Sequence, residues 1–173
     1  MANRKQIEFA KEVFLAAKES KKGFSPIFTT AQACLETGWG SRTVGKFNIF
    51  GITKGSWTGK TVLILTKEYF KIPNKKFVEP EKVISVNKLS PVKYKYTVTR
   101  LFREYNSLTE ALEDHEEIFE KPMYSDAYPY RDNPLVFASK ICDAHGAKYA
   151  TSPYYYNTLR KIIIQITNLS KNW

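Results

Sequence analysis

The sequence predicts an α+β fold in which a mainly helical body carries a small antiparallel β-unit in its middle third. Two different residue patterns along the sequence support this prediction. Apolar residues recur at helical spacing before residue 40 and after residue 107, whereas the middle third is rich in β-branched and aromatic residues. A chain of 173 residues suits one domain, which we place at 1–173 with the β-unit at about 57–105.

The first two helices are predicted from apolar spacing and from their ends. The first covers about residues 3–20. The second opens at Ser25-Pro26, with serine as the N-cap and proline at the first helical position, and it runs to Gly38. The apolar positions of the first helix are Ile7, Ala10, Val13, Phe14 and Ala17.

Three further helices are predicted after the β-unit. Ser107 and Glu110 have the spacing of a capping box at the start of the third helix. The two later helices are predicted to start in the same way, with a capping residue followed by proline. One runs from Asn133-Pro134 to Gly146, and the last begins after Ser152-Pro153.

The β-unit is predicted to contain three strands, at residues 61–71, 83–86 and 94–105. Residues 72–82 and 87–93 carry Pro, Asn and Lys and are predicted to be loops. A helical lobe beside a β-lobe leaves a cleft, which is the usual place for a ligand site.

The excess of basic residues indicates which classes of binding partner suit the chain. Twenty-seven Lys and Arg against seventeen Asp and Glu give a net charge of +10, which favours an anionic polymer, membrane surface or cell wall. There is no RNP-like aromatic pattern, Cys/His finger or basic heptad helix, so we expect no nucleic-acid partner. The lysines are scattered along the sequence, as on a solvated surface.

No cofactor, metal or membrane span is expected. No apolar run reaches 18 residues, and no secretory leader follows the N-terminus, so we expect synthesis in the cytoplasm. Cys34 and Cys142 fall in apolar helical patterns and are predicted to be small buried apolar residues. The alternative is a disulfide between them. His115 and His145 lack ligand spacing and are assigned structural roles at the polar edges of helices. We expect a monomer.

Glu36 is the first candidate catalytic residue. It lies in the last turn of a helix that ends at Gly38, next to Trp39, and a glycine-containing loop with Phe50 and Gly51 follows. Desolvation in such a semi-apolar corner raises a carboxyl pKa, and a neutral carboxylic acid is what a glycosidase needs as general acid. The alternative is a helix-end glutamate that packs on a structural tryptophan.

Glu68 is the second candidate. It lies in the β-unit, so that one carboxylate stands on each expected wall of the cleft, as glycoside hydrolysis requires. The alternative is a solvent-facing strand residue paired with a neighbouring lysine.

Four segments resemble the glucosaminidase domain of glycoside hydrolase family 73. They are Ala31-Gln-Ala-Cys-Leu-Glu-Thr-Gly-Trp-Gly40, Asn48-Ile-Phe-Gly-Ile52, the stretch from Phe102-Arg-Glu-Tyr to Asp114-His115, and Lys148-Tyr-Ala-Thr-Ser-Pro-Tyr-Tyr155. The resemblance runs from about residue 5 to 170. The family comprises autolysins, flagellar-rod hydrolases and phage lysins that cleave peptidoglycan.

The resemblance implies a lysozyme-like fold and hydrolysis of β-1,4 bonds in the wall glycan, as an endo-β-N-acetylglucosaminidase without a cofactor. It implies Glu36 as general acid, Glu68 as second carboxylate and Tyr149 near the cleft floor. The missing leader then favours a phage-type release route. The residues implied to bind sugar are Trp39, Asn48, Phe50, Gly51 and Tyr155.

The sequence departs from the family pattern at two places, and these departures affect the assignment of residue roles. Ser152 stands where the family has aspartate, which makes it a cap. The stretch after Glu68 is longer than the family's hairpin, so Glu79 and Glu81 are fallback candidates for the second carboxylate. The other activities considered are an N-acetylmuramidase or lytic transglycosylase of the same fold, and a non-catalytic basic wall-binding or structural module.

Overall fold

The computed structural model describes residues 2–143, 149 and 154–173. The chain divides into two compact units. The helical unit comprises Met1–Phe50 and Tyr105–Trp173, and the β-unit comprises Gly51–Glu104. The helices and the antiparallel sheet confirm the predicted α+β class.

Five α-helices lie in the described part of the helical unit, as predicted. They are α1 (Arg4–Lys18), α2 (Pro26–Thr37), α3 (Leu108–Glu116), α4 (Pro134–Asp143) and α5 (Tyr155–Leu169). Short 3-10 helices follow α3 and α5 and precede α4, at Glu117–Glu120, Pro122–Tyr124, Tyr128–Tyr130 and Ser170–Asn172. The predicted helix end at Gly146 and the predicted start at Ser152-Pro153 lie outside the described residues.

The helix caps match the predicted positions but not every predicted bond. Ser25 occupies the N-cap of α2, yet its hydroxyl makes no capping hydrogen bond. At α3 the Ser107 hydroxyl accepts from the Glu110 amide at 3.0 Å. The Glu110 carboxylate accepts from the Asn106 amide at 2.7 Å instead of the Ser107 amide. The reciprocal half of the predicted capping box is therefore displaced by one residue.

A core of interlocked aromatic rings holds the helices together. Phe28 of α2 meets Phe137 of α4 edge-on at a centroid distance of 4.8 Å, and Phe119 contacts both rings. Burying one such side chain stabilises the fold by roughly 1.5–3 kcal/mol. The aliphatic residues fully buried in the same core are Ile141, Leu159, Ile163 and Ile166.

A second buried cluster fixes the loop that follows α2. Ile49 packs with Val13 of α1, Ala33 of α2 and Leu112 of α3, and the rings of Phe47 and Phe50 lie against it. The loop is thereby held to three helices at once.

The β-unit is a three-stranded antiparallel sheet with strand order β1-β3-β2, where β1 is Thr61–Phe70, β2 is Lys82–Ser90 and β3 is Lys93–Arg103. The predicted loop at 87–93 is wrong, because β2 continues to Ser90 and only Pro91-Val92 connects it to β3. Pairing with β3 gives this edge strand its backbone hydrogen bonds whatever side chains it carries.

The two ends of the β-unit are bonded to each other. The Arg103 amide donates to the Ile52 carbonyl at 3.0 Å, and the Glu104 amide donates to the Lys60 carbonyl at 2.9 Å. The segment that leads into β1 and the segment that leaves β3 therefore run side by side.

One face of the sheet, here called the covered face, is packed under the segment between β1 and β2. Tyr96 is buried on this face, and its hydroxyl donates to the Ile72 carbonyl at 2.8 Å. Its ring contacts Phe70 of β1 at 5.2 Å and Phe77 of the covering segment at 6.2 Å. The β-unit thus has a small core of its own.

Neither cysteine is cross-linked. Cys34 is buried and Cys142 is half-buried, and both are free. Burial raises the pKa of the Cys34 thiol to about 12, which makes it inert at neutral pH. Among the described helices, none has the length and hydropathy of a membrane span.

Candidate active site in the helical unit

The end of α2 holds Glu36 on a rigid turn. Gly38 closes the helix with a φ of +59°, in the left-handed region that glycine adopts without strain. Trp39 also has a φ of +59°, and its amide donates to the Cys34 carbonyl at 2.7 Å. The Thr37 hydroxyl accepts from the Gly40 amide at 2.7 Å. These bonds fix the chain on both sides of Glu36.

The Glu36 carboxylate faces a tyrosine from the last helix. The Tyr155 hydroxyl donates to Glu36 Oε1 at 3.4 Å, and it accepts from Gln32 Nε2, also at 3.4 Å. Gln32 and Glu36 are one turn apart on α2, so both side chains reach the start of α5. Gln32 is buried and holds the phenol in position.

The pKa of Glu36 is raised, chiefly because surrounding protein atoms replace water around the carboxylate. The Tyr155 hydrogen bond and the charge of Arg42 act in the opposite direction. The residue as a whole is exposed to solvent. An exposed residue with a raised carboxyl pKa is accessible to a ligand and favours its protonated form, as a general acid requires.

A second tyrosine, Tyr149, lies close enough to Glu36 to be affected by its charge, and it contacts a buried histidine. His115 Nε2 lies 3.2 Å from the Tyr149 hydroxyl, and the His115 ring stacks on Phe50 at 3.6 Å. Burial lowers the pKa of His115 to about 3, so the imidazole is neutral. The predicted placement of His115 at a polar helix edge is therefore wrong, because the residue is buried under the loop after α2. His145 lies outside the described residues.

Both tyrosines keep their protons at neutral pH. Burial raises the pKa of Tyr149 and of Tyr155, and the negative charge of Glu36 raises both further. Their ring centroids are 5.4 Å apart. The structure therefore brings Glu36, Tyr149 and Tyr155 together, with Phe50 held beside them through His115.

The other predicted sugar-binding residues are Trp39, Asn48 and Gly51. Trp39 is half-buried and packs on the aromatic core. Asn48 is buried, and its carbonyl accepts from the Val44 amide at 3.2 Å. Gly51 is the first residue of the β-unit and has a φ of +62°.

Glu68 lies in the β-unit, where it is bound to an arginine. Arg100 donates from Nη1 to Glu68 at 3.1 Å and from Nε to Glu81 at 3.0 Å. The guanidinium also covers the Phe77 ring at 5.1 Å. The alternative considered for Glu68, a solvent-facing residue paired with a neighbouring lysine, is wrong in both respects, since the residue is half-buried on the covered face. Glu79 lies nearby, at a cavity of about 430 Å³ within this unit.

The acidic run after His115 has a structural role. Glu116 is buried and accepts hydrogen bonds from the hydroxyls of Ser20 and Thr29, each at 2.8 Å. Glu116 therefore belongs to the interior of the helical unit and not to a solvated helix face. Across residues 2–143, 149 and 154–173, no group of three His, Cys, Asp or Glu side chains has the arrangement of a metal site.

Four residues of these two sites were not identified from the sequence: Gln32, Arg42, Arg100 and His115 in its buried role. Gln32 carried a usable signal, because it precedes Glu36 by one helical turn. His115 belongs to a segment that resembles the family, but its contacts with Phe50 and Tyr149 join distant parts of the chain.

Solved structures similar to this chain include hydrolase domains. The glycoside hydrolase domain of FlgJ from Salmonella typhimurium aligns with a TM-score of 0.69 and 26% identity, over 96% of this chain and 91% of that domain. A peptidoglycan hydrolase mutant from Sphingomonas sp. A1 aligns with a TM-score of 0.62 and 25% identity, over 96% of this chain and 99% of the other. The chain therefore shares the fold of these hydrolase domains.

The chain belongs to the glucosaminidase family. The family model, described as mannosyl-glycoprotein endo-beta-N-acetylglucosaminidase, matches residues 13–168. The peptidoglycan hydrolase FlgJ of Escherichia coli K12 is 32% identical over 81% of this chain and 39% of its own length. A probable N-acetylmuramidase of Lactococcus lactis is 29% identical over 91% of this chain and 33% of its own. The chain spans about a third of the length of these curated relatives. The resemblance stated from the sequence is confirmed.

Proposed function

We propose that this chain is an endo-β-N-acetylglucosaminidase that cleaves β-1,4 bonds of bacterial peptidoglycan, with residues 1–173 acting as one catalytic domain. The observation that carries the proposal is Glu36, an accessible carboxyl with a raised pKa, fixed at a helix end beside two protonated tyrosines. Membership of the glucosaminidase family and likeness to FlgJ hydrolase domains support the substrate class.

In the proposed reaction, protonated Glu36 transfers its proton to the glycosidic oxygen as the bond from that oxygen to the anomeric carbon breaks. Water then adds to the anomeric carbon and gives up one proton, so that each new chain end carries a hydroxyl. Glu68 accepts that proton as general base. In the alternative, the acetamido oxygen of the substrate attacks the anomeric carbon to give an oxazolinium ion that Glu68 stabilises, and water then opens this ion and gives its proton to the Glu36 carboxylate. Tyr149 and Tyr155 donate hydrogen bonds to the carboxylate or to the sugar.

The proposed sugar subsites are formed by residues around the end of α2. Aromatic faces suit the apolar faces of pyranose rings, and amide groups suit their hydroxyls. The residues proposed for this role are Trp39, Asn48, Phe50, Gly51 and Tyr155.

The decisive experiment is mass spectrometry of muropeptides released from purified cell walls. An endo-β-N-acetylglucosaminidase leaves N-acetylglucosamine at the new reducing ends. Reducing-end muramic acid identifies an N-acetylmuramidase, which the name of the Lactococcus relative makes the second candidate. A 1,6-anhydro end identifies a lytic transglycosylase. Release of no muropeptides at all favours a wall-binding module.

We predict that Tyr155→Phe shifts the pH profile in a defined direction. The Tyr155 hydrogen bond lowers the pKa of Glu36, so its loss raises that pKa further. A general acid loses activity as pH rises through its pKa. The alkaline limb of kcat/KM should therefore move to higher pH, measured on a soluble muropeptide oligomer. Tyr156→Phe is the matched control and should leave the limb in place. The proposed contact is contradicted if the alkaline limb of Tyr155→Phe keeps the wild-type pH or moves to lower pH.

We predict that activity survives dialysis against EDTA. Proton transfer from Glu36 needs no Lewis acid, and the described residues offer no metal-binding group. Turnover of wall fragments should be equal before and after dialysis. A loss that zinc or calcium restores would count against the two-carboxylate mechanism.

A further inference from the structure

The positive charge of the chain is concentrated in the β-unit. Residues 51–104 hold ten lysines and two arginines against four glutamates, a net charge of +8, whereas the rest of the chain has fifteen basic against thirteen acidic residues. Less than a third of the sequence thus carries most of the net charge of +10. The lysines look scattered in the sequence because they are spread along the strands and loops of this one unit.

The two arginines of this unit are held by carboxylates, a carbonyl and aromatic rings, whereas its lysines differ in having no carboxylate partner among the described residues. Arg100 is neutralised by Glu68 and Glu81, and Arg103 donates to the Thr53 carbonyl and covers the Trp57 ring. In the described part of the chain, no carboxylate forms an ion pair with any of the ten lysines. The uncompensated charge of the unit is therefore carried by ammonium groups.

The pairing register places the two glutamates and three of the lysines on opposite faces of the sheet. Glu68 pairs with Tyr96 and lies on the covered face, where Glu81 also meets Arg100. On the opposite face, here called the open face, Lys67 pairs with Thr97 and Lys95 pairs with Tyr69. Alternation along β1 and β3 places only neutral and basic side chains there, since both glutamates are on the other side.

The lysines of the open face lie close enough to act together. Lys67 and Lys95 are diagonal neighbours on adjacent strands, a separation of roughly 7–8 Å. Lys93 follows on β3, with its ammonium 5.2 Å from the centroid of the exposed Tyr69 ring. Thr97 and Thr99 follow Lys95 on the same face of β3, where the Thr99 hydroxyl accepts from the Lys82 backbone amide at 2.9 Å. The result is a flat row of cations with the Thr97 side chain beside it.

We propose that this open face binds the anionic, phosphodiester-linked polyol polymers of bacterial cell walls and so holds the hydrolase at its substrate. The proposal rests on the proposed function, since a wall-degrading enzyme meets such polymers around its glycan. Compact ammonium charges suit a flexible chain of phosphates, whereas planar, bidentate recognition uses free arginines.

Two other anionic partners fit the open face less well. Single-stranded nucleic acid binds through several free aromatic rings, but Tyr69 is already covered by Lys93. A membrane surface takes up a continuous apolar helix face, whereas the exposed apolar side chains next to these lysines are Leu63 and Leu65 on β1. Both partners are included in the test below.

The test compares two triple variants with equal loss of charge. One carries Lys67→Gln, Lys93→Gln and Lys95→Gln on the open face. The control carries Lys5→Gln, Lys11→Gln and Lys161→Gln on exposed positions of α1 and α5. Binding to poly(glycerol phosphate) is measured over a salt series, and hydrolysis is measured on a short, uncharged soluble glycan.

We expect the open-face variant to bind the polymer at least about tenfold more weakly, with a shallower salt dependence, and the control to change by less than about twofold. Both should hydrolyse the short glycan like the wild type, and absence of that hydrolysis in the wild type would overturn the proposed function alone. Equal weakening in both variants refutes a localised face. Tighter binding of the wild type to single-stranded DNA or to phosphatidylglycerol vesicles than to the polymer refutes the partner class.

Discussion

Glu36→Gln should abolish lytic activity while leaving the fold intact. The amide has the same shape as the carboxylic acid but cannot give a proton to the leaving oxygen, so the reaction loses its proposed general acid. The melting temperature should barely change, because Glu36 is exposed and its hydrogen bond to Tyr155 is long, at 3.4 Å. Lysis of purified walls and thermal unfolding are the two measurements.

The control for Glu36→Gln is the same substitution at Glu12, on an exposed face of α1. Glu12→Gln changes the net charge by the same amount and should lyse walls at the wild-type rate. Near-wild-type turnover by Glu36→Gln would remove this residue from the mechanism, and with it the main support for the proposed function.

Glu68→Gln should lower kcat by about 10²–10⁴, the usual effect of losing an acid or base group. The structure adds a complication, because Glu68 is also a partner of Arg100. A loss of activity could then come from a loosened β-unit. The variant should therefore be compared by melting temperature as well as by kcat on a soluble muropeptide oligomer.

Glu81→Gln separates these two explanations. It replaces the other carboxylate bound to Arg100 by a neutral amide and weakens the hydrogen bond from the Leu101 amide, which is 2.9 Å long, so it should destabilise the β-unit at least as much. If Glu68 acts in the chemistry, Glu81→Gln keeps kcat within a few-fold of wild type. If Glu81→Gln or Glu79→Gln inactivates the enzyme and Glu68→Gln does not, the assignment of the second carboxylate is wrong.

The features predicted correctly from the sequence are those that depend on local signals. Helix α2 was bounded correctly because proline starts it and Gly38 ends it, within one stretch of chain. Glu36 could be selected for the same reason, since the helix end and Trp39 are its sequence neighbours. Strand β2 was predicted too short, because residues 87–90 follow no apolar alternation and depend on pairing with β3.

The features that escaped prediction are contacts between distant segments. Gln32 and Tyr155 are separated by 123 residues, and Arg100 and Glu68 by 32. The buried position of His115 depends on the loop that places Phe50 on its ring. The placement of Lys67, Lys93 and Lys95 on one sheet face follows from the strand register, which composition and charge counts do not contain.

The bond between the Arg103 amide and the Ile52 carbonyl has an evolutionary consequence. A segment that starts and finishes at one point can grow or shrink between those ends without displacing the residues outside it. The entropic penalty of such growth is small, about 0.6 kcal/mol for each doubling of a flexible loop. The β-unit can therefore be lengthened, recharged or exchanged in evolution without any change in the sequence that forms the helix end bearing Glu36.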